Sequence, residues 1–124
     1  MTLSSSMEDY LEAIFEIDKL KRAVRVKDVS ERLGVTMPSV NGAMKNLEAL
    51  GLIKHEKYEY IELTEDGIGQ ASRIATRHRV LYSFLHDVLG VDSATAEEEA
   101  CRIEHVLSAE TINKIVAYSK KYSA

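Results

Sequence analysis

The stretch Val26-Lys27-Asp28-Val29-Ser30-Glu31-Arg32-Leu33-Gly34-Val35-Thr36-Met37-Pro38-Ser39-Val40-Asn41-Gly42-Ala43-Met44 decides the fold. A helix is predicted from about Lys27 to Leu33. Gly34 closes it, because glycine takes the left-handed backbone at a helix end without steric cost. Thr36 then caps a second helix. Pro38 falls in its first turn, where a missing N–H leaves no hydrogen bond unmade. Val40, Ala43, Met44, Leu47 and Leu50 give this helix an apolar face, and Gly51 ends it. Two short helices joined by a tight turn make a helix-turn-helix candidate.

The flanks extend this unit. Ser5 and Ser6 precede Met7-Glu8-Asp9, a capping-box start for a helix to about Arg22. Met7, Tyr10, Leu11, Ile14 and Ile17 form its apolar stripe, while Glu8, Asp9, Glu12 and Glu16 cluster on the other side. Downstream, Leu52 to Leu63 holds two β-prone runs around Glu56-Lys57-Tyr58-Glu59, a hairpin that reads as a wing. Thr64 caps a long helix to about Leu89, stopped by Gly90, with a stripe of Ile68, Ala71, Ile74, Ala75, His78, Leu81, Tyr82 and Leu85. Ser93 starts a fifth helix that carries Cys101-Arg102-Ile103-Glu104-His105, and Ser108 a sixth that ends near Tyr122. The expected fold is mainly α: a winged helix-turn-helix over residues 1–63, then an all-helical module over 64–124.

Composition sets the outer bounds. The 124 residues are 45% hydrophobic and 29% charged, which suits one soluble unit or a small reading module fused to a helical one. That length is marginal for two independent cores, so a shared core or a dimer is expected. No apolar run approaches the ~20 residues that span a bilayer. The N-terminus lacks the layout of a signal peptide, so a cytoplasmic location is expected. Cys101 is the single cysteine, which excludes an intrachain disulfide and leaves a buried hydrophobe, a reactive thiol or a metal ligand.

The net charge of −4 argues against a protein that simply coats nucleic acid. Its distribution says more. Residues 1–18 carry five acidic and no basic side chains, residues 19–57 nine basic against four acidic, and residues 58–124 seven basic against eleven acidic. A local +5 between acidic ends is the footprint of one segment facing phosphates. Near the start of the recognition helix the expected exposed residues are Thr36, Pro38, Ser39, Asn41 and Gly42, with Lys45 and Asn46 further on. Ser, Thr and Asn bond bases or phosphates, Gly42 permits close approach, and Lys45 suits a phosphate. Arg25, Lys27 and Lys54 are further phosphate candidates. The plain alternative is a helical hairpin with a polar face.

A second constellation carries metal chemistry. At ~100° per residue, Cys101, Glu104 and His105 are expected on one face of the fifth helix together with Glu97. Ala96, Ala100, Ile103 and Leu107 are expected on the opposite side. Thiolate, carboxylate and imidazole together suit Fe(II), Mn(II), Co(II) or Zn(II). One helix supplies too few donors for a six-coordinate ion, so Asp9 and Glu12, spaced i, i+3, and His78 are the completing candidates. Singly, each has a plain structural reading: carboxylates complementing a helix dipole, a satisfied core histidine, a filler thiol. Their joint presence on three helices carries the metal reading.

With these residues in place, the chain resembles the diphtheria toxin repressor and manganese transport regulator family over essentially its whole length. Ser6-Met7-Glu8-Asp9-Tyr10-Leu11-Glu12 looks like the manganese branch. Arg77-His78-Arg79 and the run from Ala100 to Ser108 look like the iron branch. The resemblance implies a homodimeric, metal-activated repressor of metal-uptake genes, with the second half carrying dimerisation. It implies Asp9, Glu12, His78, Cys101, Glu104 and His105 as metal ligands, with Glu97 a further candidate. Asp9 stands where the iron branch has Met, and Cys101 where the manganese branch has Glu, so the expected cofactor is Fe(II) or Mn(II), one or two ions per subunit. Tyr82 and Glu97 replace a glutamate and a histidine of the iron branch's ancillary site, which is therefore expected to be incomplete. The chain stops at Ala124, so that branch's SH3-like third domain is expected to be absent. Gly42 replaces a recognition-helix glutamine, which implies a different operator, expected to be a palindromic DNA duplex.

The mechanism expected is linkage: one ion bonded to the first helix and to the second module fixes the spacing of two recognition helices in a dimer. Two other classes compete. A metal-dependent hydrolase would need a general base and oxyanion donors that the sequence does not offer, so no enzyme is expected. A metal-independent winged-helix regulator would instead answer to a small molecule or a partner protein.

Overall fold

The computed structural model describes residues 3–21, 23–55 and 60–122. Among them run α1 Ser5–Lys21, α2 Val26–Leu33, α3 Met37–Ala49, β1 Ile53–His55, β2 Ile61–Leu63, α4 Glu65–Ser83, a π-helical turn Phe84–Val88, α5 Ser93–Ile103 and α6 Ala109–Tyr122. The expected wing turn at Glu56-Lys57-Tyr58-Glu59 and the helix end at Arg22 lie outside the described residues. The chain divides into two compact units, one ending at Arg73 and the other starting at Ile74, so the division falls within α4.

In the first unit, α1 starts one residue earlier than its capping signal suggests. Ser4 Oγ accepts from the Met7 N–H at 3.2 Å, and Ser5 and Ser6 join the first turn. Tyr10, Leu11, Ala13, Ile14 and Ile17 are buried, the row that the 3.6-residue period demands. Gly34 ends α2 at φ 67°, with its N–H donating to Ser30 O at 2.9 Å. Thr36 Oγ1 accepts from the Ser39 N–H at 3.3 Å and caps α3, whose Val40, Ala43, Met44 and Leu47 are buried. The wing strands pair antiparallel, Ile53 with Leu63 and His55 with Ile61, and Val24 adds a bridge to Ile61. Ile53, Ile61 and Val24 turn inward onto the helices.

The start of α4 departs from expectation. Ile68, placed by periodicity on the apolar stripe, is 48% exposed. Gly67 takes the close-packed position instead, where a Cβ would overlap the Leu52 carbonyl oxygen. Thr64 ties this corner down by donating its hydroxyl to Gly51 O at 2.7 Å and accepting from the Gly67 N–H at 3.1 Å.

The second unit is built around Leu81, Ala100 and Ile112, with Tyr82, Leu85, Ile103, Leu107, Ile115 and Val116 packed against them. The α-helical ladder expected to reach Leu89 stops at Ser83. Phe84–Val88 form a π turn, in which the Leu89 N–H reaches back five residues to Phe84 O at 3.0 Å, before Gly90 turns the chain at φ 76°. Asp92 caps α5 by accepting from the Ala94 N–H at 3.0 Å. Ser108 Oγ caps α6 by accepting from the Thr111 N–H at 3.1 Å. No helix among the described residues is long and apolar enough to cross a membrane.

Candidate metal centre and DNA-reading face

Two expectations about α5 need correction. The helix ends at Ile103, so Glu104, expected within it, forms its C-cap, and His105 lies in the turn that follows. Nor do Cys101 and Glu104 share an environment: Cys101 is exposed, whereas Glu104 is fully buried. The reason is the row spacing. Ala96, Ala100 and Glu104 follow at i, i+4, i+8, and the two alanines are fully buried. Glu104 therefore continues the apolar row that was expected to lie opposite it, and the carboxylate occupies a core position.

A carboxylate at such a position requires cationic or donor partners. Its neighbour on α4 is His78, whose Nδ1–H donates to Glu104 Oε2 at 2.8 Å. The Nε2–H of the same ring donates to Glu97 Oε1 at 2.8 Å, and Glu97 itself is largely exposed. A neutral imidazole carries one N–H, so two such bonds require the imidazolium. The hydrogen bond to Glu104 is the chief reason that the His78 pKa rises from 6.5 to about 9; burial opposes the rise, and the negative charges of Glu104 and Glu97 add to it. His105 Nε2 lies 3.5 Å from Glu104 Oε1, an atom that is buried and accepts no hydrogen bond among the described residues.

The second unit thus gathers His78, Glu97, Glu104 and His105. The donor chemistry fits a divalent transition metal: a buried carboxylate with one oxygen lacking a hydrogen bond, flanked by two imidazoles. The protein meets the charge of Glu104 with a proton on His78, the place where a cation would serve. Cys101, the remaining expected ligand on α5, is exposed. Asp9 and Glu12 belong to the first unit, both half-buried on α1. Glu97, a lesser candidate from sequence, is the residue that engages His78 Nε2.

In the first unit, Thr36, Pro38, Ser39, Asn41, Gly42, Lys45 and Asn46 are all exposed, opposite the buried row of α3. The Thr36 hydroxyl is engaged as the helix cap and lies 2.8 Å from the Ser39 hydroxyl, so both contribute first to helix geometry. Lys27 is exposed and pairs with Glu31 at 4.0 Å, and Lys54 projects from β1 opposite Glu62. Arg25 precedes α2 and is bonded to Tyr60, a residue absent from the sequence expectations. Only the aromatic character of Tyr60 beside the wing could have drawn attention to it.

Residues 2–61 match the family model described as iron dependent repressor, N-terminal DNA binding domain, and residues 64–123 the one described as iron dependent repressor, metal binding and dimerisation domain. The chain is 36% identical over 121 residues to an uncharacterized HTH-type transcriptional regulator of Methanocaldococcus jannaschii, covering 97% of each. It is 36% identical over 110 residues to the HTH-type transcriptional regulator MntR of Listeria monocytogenes, covering 89% of this chain and 77% of that one. Among solved structures it is similar to the IdeR of T. acidophilum, with a TM-score of 0.81 and 28% identity over 91% of this chain and 53% of that one. The manganese regulator SloR gives a TM-score of 0.81 and 28% identity over 97% of this chain and 55% of that one. The chain thus spans about half the length of these two solved chains. With a winged helix-turn-helix, a buried carboxylate–imidazole group and both family models matched in order, the chain belongs to the iron-dependent repressor family, the diphtheria toxin repressor and MntR group of metal-dependent DNA-binding transcriptional regulators, which are not enzymes.

Proposed function

We propose that this protein represses metal-uptake genes when loaded with Fe(II) or Mn(II), binding a palindromic operator as a homodimer. The observation that carries the reading is Glu104: a fully buried carboxylate with one oxygen accepting no hydrogen bond, held between His78 and His105. Oxygen and imidazole donors suit Mn(II) or Fe(II), and the Cys101 thiol, a further expected donor, leaves Co(II) or Zn(II) as substitutes. In this reading Glu104, His105 and His78 Nδ1 are donors, and Glu97 accepts the remaining His78 N–H and fixes its tautomer. Asp9 and Glu12 complete the set, supported by their i, i+3 spacing, their partial burial and the family resemblance.

A bound divalent ion supplies the positive charge that the His78 proton otherwise provides. The residues of α3 then do the reading. Asn41, Lys45 and Asn46 face outward from a helix that fits the major groove, and Gly42 lets its backbone approach closely. Two such helices in a dimer meet successive turns of one DNA face when they lie ~34–36 Å apart.

The test compares wild type with Glu12→Gln for affinity to a duplex selected by the Mn(II)-loaded protein from a random-sequence pool. Mn(II) or anaerobic Fe(II) should raise wild-type affinity about 5- to 150-fold, equivalent to ~1–3 kcal/mol of coupling, and the variant should lose most of that gain. Equal affinity with and without metal in both proteins would refute the reading.

A further inference from the structure

Arg25 directly precedes α2 and Tyr60 directly precedes β2. The bridge between Val24 and Ile61 sets them side by side, with the Ile61 N–H donating to Val24 O at 2.7 Å. Across this junction Arg25 Nη2 donates to Tyr60 Oη at 3.0 Å, and the guanidinium carbon lies 5.0 Å from the ring centroid. Both residues are exposed, Tyr60 at 39%. The Arg25 backbone is fixed as well: its N–H donates to Asp28 Oδ2 at 2.9 Å, while Asp28 Oδ1 takes Lys21 Nζ at 3.1 Å.

A surface arginine usually samples many rotamers and loses that freedom on binding. Here one aromatic side chain engages the guanidinium by both ring and hydroxyl, so part of the ordering precedes binding. Tyr60 Oη takes one N–H of a planar fork that carries five donors and matches phosphate geometry. Arg25 lies in the segment of local positive charge, and the pair sits where the wing meets the helix-turn-helix.

The geometry points to Tyr60 as a positioning residue that presents Arg25 to a DNA backbone phosphate. The inference rests on the reading of the first unit as the DNA-binding module. Tyr60 touches no base in this scheme. It holds the guanidinium so that the contact forms without further ordering.

The experiment uses the full-length Mn(II)-loaded protein and the fluorescein-labelled duplex selected by wild type. Affinity is measured from 50 to 200 mM salt for wild type, Arg25→Gln, Tyr60→Phe, Tyr60→Leu and the double variant Arg25→Gln/Tyr60→Leu. Arg25→Gln should weaken binding about tenfold and flatten the log–log salt slope by about 0.9, the loss of one phosphate contact. Tyr60→Leu should weaken binding about three- to tenfold, and Tyr60→Phe, which keeps the ring, should lose less. The double variant should bind no more weakly than Arg25→Gln, because Tyr60 acts through Arg25. A merely structural tyrosine would add its loss to that of Arg25 and leave the salt slope unchanged. Wild-type affinity in both Tyr60 variants, or losses that multiply in the double variant, would overturn the inference while DNA binding stands. A wild-type protein that selects no duplex would overturn the DNA-binding assignment and this inference with it.

Discussion

Replacing Glu104 by glutamine separates charge from shape at the buried position. The amide keeps an oxygen that can accept from His78 Nδ1, so packing and one hydrogen bond survive, but the negative charge is gone. In wild type the His78 pKa stands at about 9, so the ring is about 99% imidazolium at pH 7. The hydrogen bond to Glu104 is the largest cause of that rise, and Glu97 is left in the variant as a largely exposed partner. The midpoint should therefore fall by about 2 units, a loss of ~2.7 kcal/mol in the preference for the charged ring. The sign for stability follows from a folded-state pKa raised above the unfolded value of 6.5. The contribution is fully present below pH 6.5 and disappears as pH rises through about 9. Metal-free wild type should lose about 2 kcal/mol of unfolding free energy between pH 6 and pH 10, the remainder being screened by solvent on the Glu97 side. The variant should show little of this dependence. Titration of the His78 ring protons by NMR, assigned against His78→Gln, reads the midpoint, and denaturant unfolding at the two pH values reads the stability. A wild-type midpoint near 6.5, or the same midpoint in both proteins, would refute the reasoning.

Three further outcomes follow from the same geometry. Mn(II) affinity of wild type should rise about tenfold per pH unit between pH 7 and 8.5, as one proton leaves His78 for each ion bound; calorimetry in two buffers of different ionisation enthalpy counts that proton, and a flat profile would contradict the exchange. Gly67→Ala should destabilise the protein by about 3 kcal/mol, since the new methyl overlaps the Leu52 backbone carbonyl, which cannot rotate away; a thermal melt should show Tm lower by roughly 10 °C, and an unchanged Tm would disprove the close packing. Gly42→Ala has open space around its Cβ, so it should stabilise α3 by about 0.5–1 kcal/mol while weakening DNA binding; a stabilised variant with full affinity would show that the backbone there does not approach DNA.

The helix-turn-helix was legible because its punctuation is chemical: Gly34 and Gly51 adopt positive φ, and Thr36 caps. The end of α5 was not, because neither glycine nor proline marks it and Glu104 continues the spacing of Ala96 and Ala100. Periodicity also favoured Ile68 by its hydrophobicity, although the close approach of Leu52 O leaves room there only for Gly67. At the candidate site, His78, Glu104 and His105 were legible through the joint presence of ligand-type side chains on three helices, since each alone has a plain structural reading. Residue type could not show that Glu104 is fully buried while Cys101 is exposed, which depends on how the helix is rotated within its unit. The Arg25–Tyr60 contact joins residues 35 positions apart, and no local pattern encodes such a pair.

The π turn at Phe84–Val88 makes chain length, rather than residue identity, the sensitive variable at that joint. A π turn holds one residue more than the α-helical turn it replaces. Exposed Asp87 should accept most substitutions there, yet deleting it would let the segment relax into a regular helix and swing Gly90 and everything after it by about 100°. For this segment a frameshift-free loss of a single codon is a graver lesion than almost any missense change.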